Sequence, residues 1–119
     1  MGNPVKWFEV TGTGAAQLQA FYSKVFGWSF EVEPGMSAYG VANTGTDQGI
    51  PGGIGPAWPN QKPWVTFYVA APDIAAKLAE ITAAGGSVII SRTEMPNVTL
   101  AMFADPEGHV IGLVEEKIA

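Results

Sequence analysis

Apolar and polar positions along the chain fall into a pattern that runs twice. Val5 to Val10 alternates as a short strand, with Trp7 and Glu9 on one face and Phe8 and Val10 on the other. Gly12-Thr13-Gly14 then reads as a tight turn, because Gln17 stands where a dinucleotide-binding loop would need its third glycine. Leu18, Phe21, Tyr22 and Val25 follow at the spacing of one helix face, which predicts an amphipathic helix with these residues turned inward. Gly27 is placed to cap its end. Strand-like stretches come next, Trp28 to Val32 and Ser37 to Ala42, with a turn at Pro34-Gly35.

From Trp64 the plan begins again. Trp64, Thr66 and Tyr68 share one face of a strand, and Val65, Phe67 and Val69 share the other. Pro72 suits the first turn of a helix. Ile74, Leu78 and Ile81 give its apolar stripe, and Gly85-Gly86 closes it. Strands are predicted over Val88 to Ser91, Thr99 to Phe103 and Val110 to Val114. Asp105-Pro106-Glu107-Gly108 forms the turn before the last of these, and Gly112 interrupts that strand. Trp7 to Phe21 and Trp64 to Leu78 are the same 14-residue interval, so the chain reads as a duplicated βαβββ unit. A first half covers about residues 4–50 and a second about 63–117, within one domain spanning 1–119. Between them, residues 45–63 are rich in Gly and Pro and read as a linker or excursion.

Composition narrows the function classes. The chain has 119 residues, 47% of them apolar and only 14% charged, with a net charge of −5. That balance supplies a core, and it disfavours nucleic acid, whose phosphates need a basic face. It suits neutral or cationic small ligands. With no cysteine, disulfides and thiolate chemistry are excluded. A single histidine rules out a multi-histidine metal site. No apolar run approaches the roughly 20 residues that span a bilayer, and no apolar signal core stands at the N-terminus. The expectation is a cytoplasmic protein with no membrane and no nucleic-acid partner.

Two tandem βαβββ units, with FYSKVFGW ending the first helix and FADPEGHVIGL closing the second unit, resemble the vicinal oxygen chelate superfamily of glyoxalases, extradiol dioxygenases and bleomycin-resistance proteins. The resemblance spans about Pro4 to Glu116. It implies an α+β fold in which the two units form a curved mixed sheet lining a cleft, and it implies a homodimer. In metal-dependent relatives, His or Glu side chains on the first and last strands of each half hold a divalent ion. The matching positions here are Trp7, Trp64 and Gly112, with the fourth near Ala42 or Asn43. An indole offers only an N–H donor and glycine offers nothing, so none of the first three can ligate a metal. The expectation is therefore no metal and no cofactor.

Two functions from different classes follow. The first is a metal-independent binding protein that holds a small, partly aromatic or hydrophobic molecule in a cleft walled by Trp7 and Trp64. Glu9, Thr66, Tyr68, Met102 and Gly112 complete its candidate site, and Tyr39 offers a hydroxyl like those of Thr66 and Tyr68 but less well placed. The second is a metal-free lyase or isomerase using Glu9 as the acid–base group, with Tyr68 as a possible partner. A glyoxalase-like metalloenzyme with an atypical ligand set of Glu9, Asn43 and His109 is a further alternative. Met36 and Met95 read as gap fillers. Arg92 and Glu94 read as a solvated face, and Glu115 as part of an exposed C-terminal end.

Overall fold

The computed structural model describes residues 2–32 and 38–118. The Pro34-Gly35 turn, Met36 and the start of the strand expected from Ser37 lie outside them. The chain divides into two compact units: Trp7–Val65, and Thr66–Ala119 together with Met1–Lys6.

Within Trp7–Val65, β1 (Val5–Gly12) leads to α1 (Ala15–Phe26), β2 (Ser29–Val32), β3 (Gly40–Asn43) and β4 (Gly52–Pro56). β2 pairs with β3 and β3 with β4, both antiparallel, and β4 pairs parallel with β1. In the other unit, β5 (Val65–Ala71) leads to α2 (Ile74–Ala83), β6 (Ser87–Glu94), β7 (Thr99–Ala104) and β8 (Val110–Glu115). The pairing is the same: β6 with β7 and β7 with β8 antiparallel, β8 with β5 parallel. The duplication inferred from spacing is thus a duplication of strand pairing, and the fold is α+β.

The stretch expected to be a linker contains β4, an interior strand bonded on both sides. Gly52-Gly53-Ile54-Gly55-Pro56 carries almost no side-chain alternation, so its sequence looks like a loop. The reason it is a strand is spatial. A Cβ on Gly52 would strike the Phe8 ring, and Cβ atoms on Gly53 and Gly55 would strike the Tyr39 ring. The glycines leave room for rings that lie flat on the strand. Ile54 is fully buried, and its carbonyl accepts from Gln19 Nε2 of α1 at 2.8 Å.

α1 packs differently from the expected stripe. Leu18 and Tyr22 are half-buried, but Phe21, Val25 and Phe26 are each more than half exposed. An aromatic cluster serves as the core on this side of the sheet: Tyr22 stacks on Trp28 at 5.6 Å, and Phe8 and Phe26 pack on the same indole. Gly27 adopts φ 74° and its N–H bonds Ser23, the left-handed C-cap expected there.

The second helix is the more conventional one. Ile74 and Leu78 bury against Ala71, Ala101 and Leu113. Asp73 is its N-cap and accepts from the Ala76 N–H at 3.0 Å, so Pro72 lies just ahead of the cap. Glu115 is not an exposed terminal residue. Its carboxylate accepts from the Ile74 N–H at 3.0 Å and is gripped by Arg92 at 2.7 and 3.0 Å. Those bonds, from Arg92 first and Ile74 second, lower its pKa to about 2. Arg92 also bonds Glu94. The N-terminal residues join this unit through the Ala70 N–H to the Pro4 carbonyl and through Lys6 to Glu116.

No helix among the described residues is long and apolar enough to cross a membrane.

Candidate functional site: a carboxylate tied to three aromatic rings

β1 alternates, so Phe8 and Val10 turn toward α1 while Trp7, Glu9 and Thr11 point to the other side of the sheet. In the parallel register with β4, Glu9 lies opposite Gly53 and Thr11 opposite Gly55. Neither glycine contributes a side chain, and the Tyr39 ring fills that place. Tyr39 follows Ala38, a non-glycine residue at φ 61°, whose carbonyl accepts from Gln19 Nε2. That left-handed residue costs about 1 kcal/mol, and it directs the chain so that the ring lands on the bare strand.

The rings meet at Glu9, which is only 4% exposed. Tyr39 Oη donates to Glu9 Oε1 at 2.9 Å, and Trp64 Nε1 donates to Glu9 Oε2 at 2.7 Å. Trp7 Nε1 donates to Tyr39 Oη at 2.8 Å. An indole can only donate. Trp7 therefore fixes the phenol as acceptor on one side and turns its proton toward Glu9 on the other. In these bonds the carboxyl group accepts on both oxygens. Thr11 completes the arrangement by holding the backbone of Trp64. Its N–H donates to the Trp64 carbonyl and its Oγ1 accepts the Trp64 N–H, both at 2.9 Å.

The two tryptophans expected as walls are therefore in one unit with Glu9. They do not stack on each other, since the ring pairs among the described residues lie around Tyr22 and Trp28. Trp64 is buried, and Trp7 and Tyr39 are half-buried. Thr11 was missed as a member of the site, and Tyr39 was weighed only as a less well placed hydroxyl. Thr11 could have been found by extending the Trp7, Glu9 alternation one step. Tyr39 needed the knowledge that β4 is a strand.

The remaining candidates lie in the other unit. Tyr68 and Met102 both lie opposite Gly112 in the strand register. A Cβ on Gly112 would strike the Tyr68 ring. The volume left by that glycine is filled by a tyrosine of the adjacent strand, not by an indole or a ligand. Met102 is fully buried, and Thr66 Oγ1 donates to the Val110 carbonyl at 2.7 Å. The phenol that donates to Glu9 Oε1 is that of Tyr39.

Residues proposed for an atypical metal set are tied down locally. Asn43 Oδ1 accepts from the Gly45 N–H, and His109 Nδ1 lies 3.0 Å from Asp105 Oδ2. The His109 backbone N–H also bonds Asp105 and is the main reason that carboxyl's pKa is lowered. Among the described residues no three His, Asp or Glu side chains come together as a metal site would require.

The glyoxalase-like domain family matches residues 8–114. The chain belongs to that family. Its relatives include CFP32 of Mycobacterium bovis and of Mycobacterium tuberculosis, provisionally named a glyoxylase, 24% identical over 125 residues. That match covers 94% of this chain but 45% of the relative, so the chain spans about half the length of these proteins. Among solved structures, a glyoxalase/bleomycin resistance protein/dioxygenase superfamily member from Vibrio splendidus aligns with a TM-score of 0.62 at 16% identity, covering 98% of this chain and 100% of its own. Methylmalonyl-CoA epimerase from Mycobacterium tuberculosis aligns with a TM-score of 0.63 at 12% identity, covering 96% and 88%. At such identities these structures share the fold alone. The vicinal oxygen chelate fold expected from the sequence is therefore the fold the chain adopts.

Proposed function

We propose that this glyoxalase-like chain is a metal-independent binding protein for a small, partly aromatic or hydrophobic molecule. Its site is the face of Trp7–Val65 that carries Trp7, Glu9, Tyr39 and Trp64. The observation that carries this reading is the Glu9 carboxylate, which collects the polar edges of three rings. With these N–H and O–H groups engaged within the protein, what the half-buried Trp7 and Tyr39 can offer a ligand is ring surface, which suits a flat, apolar group.

Residue chemistry supports the metal-independent part. Trp7, Trp64 and Gly112 occupy the places where metal-dependent relatives carry ligands, and none can donate a lone pair to a divalent ion. Burial of Glu9 argues against the lyase or isomerase alternative, because a general base must come within hydrogen-bonding reach of a substrate proton. Here both of its oxygens already accept from ring donors. A homodimer belongs to the same proposal: the exposed Phe21, Val25 and Phe26 of α1 are apolar surface that a second copy would cover.

A thermal-shift and tryptophan-fluorescence screen against small aromatic compounds tests this reading. Hits should persist in chelator and weaken at least about tenfold in Trp7→Ala, a loss on the scale of a buried aromatic contact. Stoichiometric divalent metal coupled to glyoxalase turnover would overturn it. Sedimentation of Phe21→Lys against the parent chain tests the dimer.

A further inference from the structure

The hydrogen bonds at Glu9 also bear on which ligand the site selects, given that it is a binding site at all. Three donors could have served an anionic ligand: Trp7 Nε1, Tyr39 Oη and Trp64 Nε1. All three are spent inside the protein. Among the strands that build the face, the one Lys or Arg is Lys6 of β1, which alternates to the side opposite Trp7 and Glu9 and pairs with Glu116. A phosphate or carboxylate placed here would lose hydration beside ring faces and the Glu9 carboxyl group.

The same bonds make the rings better hosts for a cation. A ring's face carries the negative lobe of its quadrupole. Donation of the phenol proton of Tyr39 to a carboxylate pushes electron density back into the ring and deepens that lobe. Trp64 is polarised in the same way by Oε2, and Trp7 more weakly by the Tyr39 oxygen. Behind the half-exposed rings of Trp7 and Tyr39 sits a buried carboxylate, and the chain as a whole carries −5. Cation–π attraction and the carboxylate field act in one direction.

We propose that the Trp7–Tyr39 face selects organic cations, amines or quaternary ammonium groups attached to an apolar or aromatic body, with Glu9 as a positioning residue that polarises the rings. The inference rests on the binding reading above, and one comparison separates the two. The wild-type chain is titrated with phenyltrimethylammonium, its neutral isostere tert-butylbenzene and the anion 4-tert-butylbenzoate, following indole fluorescence and the two-dimensional NMR signals of the Trp7 and Trp64 N–H groups. The cation should bind about tenfold tighter than the isostere, the size of a desolvated cation–π contact, and the anion weakest of the three. If isostere or anion binds as well as the cation, the face is a binding site but cation selectivity is wrong. If none of the three perturbs the indole signals, the cation proposal fails together with the binding reading for this class of ligand.

Variants sharpen the result. Glu9→Gln keeps the shape and an acceptor for Trp64 while removing the charge, and should reduce the preference for the cation to about twofold or less. Tyr39→Phe should lower cation affinity while leaving that of the isostere unchanged. Equal losses for cation and isostere in Tyr39→Phe would show that the phenol only packs. These ligand ratios are read on whichever variant retains its fold, and the wild-type comparison stands without them.

Discussion

Each βαβββ unit lays a tyrosine ring over glycine on its final strand, yet the two do so to different ends. Between β5 and β8, Tyr68 covers Gly112 from the strand directly alongside, and the ring is buried. Between β1 and β4, Tyr39 arrives from the segment before β3, covers Gly53 and Gly55, and remains half-exposed. There the phenol donates to the Glu9 carboxyl group, in a polar network that two tryptophans enter from either side. Duplication supplied equal scaffolds, and the tyrosine that covers glycine is more deeply buried in one than in the other.

Substitution of the glycines separates the two uses most strongly. Gly112→Leu must displace a buried ring that has nowhere to go, and it should cost about 3 kcal/mol in urea unfolding. Gly53→Leu displaces a ring that can swing outward, so its cost should be nearer 1 kcal/mol. That second variant should nevertheless break the Tyr39–Glu9 bond and change the indole fluorescence. Equal losses of stability in both would mean that Tyr39 is as confined as Tyr68 and the comparison is wrong.

Removing the polar anchor gives a smaller contrast. Glu9→Leu leaves the Trp64 N–H buried without its acceptor, which should cost about 2 kcal/mol. Thr66→Val in the other unit removes one neutral bond to the Val110 carbonyl and leaves a peptide oxygen to find another donor. About 1 kcal/mol is expected, again by urea unfolding. A Glu9→Leu chain as stable as the parent would show that Glu9 contributes nothing to holding the rings.

How much of this could be read from the chain follows the same division. The second unit was largely legible: β5, α2, β7 and β8 announce themselves by alternation and helical spacing, because their side chains do the packing. β4 was not legible, since its glycines mark where other residues' side chains lie, and nothing local says which. Alternation put Trp7 and Glu9 on one face, and the repeat gave Trp64 the matching place. Tyr39 stood out less, because its partners are Gly53, Gly55 and Glu9, separated from it in sequence and brought together by two strand pairings. The inward stripe expected on α1 also failed. Trp28, outside the helix, provides the surface on which Tyr22 and Phe26 pack, leaving Phe21 and Val25 exposed.

The helix starts offer the finest test of how far the two units differ. α1 begins at Gly14 with no side-chain cap, whereas α2 begins at Asp73 and is closed a second time by Glu115, which Arg92 holds in place. The pKa of Glu115 is lowered from 4.5 to about 2, first by Arg92 and then by the Ile74 N–H. Because the folded value is depressed, its contribution to stability is complete above the ordinary value and is lost as pH falls from about 4.5 through about 2. Amide exchange followed from pH 5 down to pH 2 should therefore show the Ile74 N–H losing protection while the first turn of α1, with no carboxylate to protonate, keeps its own pattern. Glu115→Gln should flatten that response, since the amide can still accept from Ile74 but no longer titrates. An acid response at Ile74 that survives this substitution would show that it does not come from Glu115, and leave the Arg92–Glu115 pair as a surface contact of little consequence.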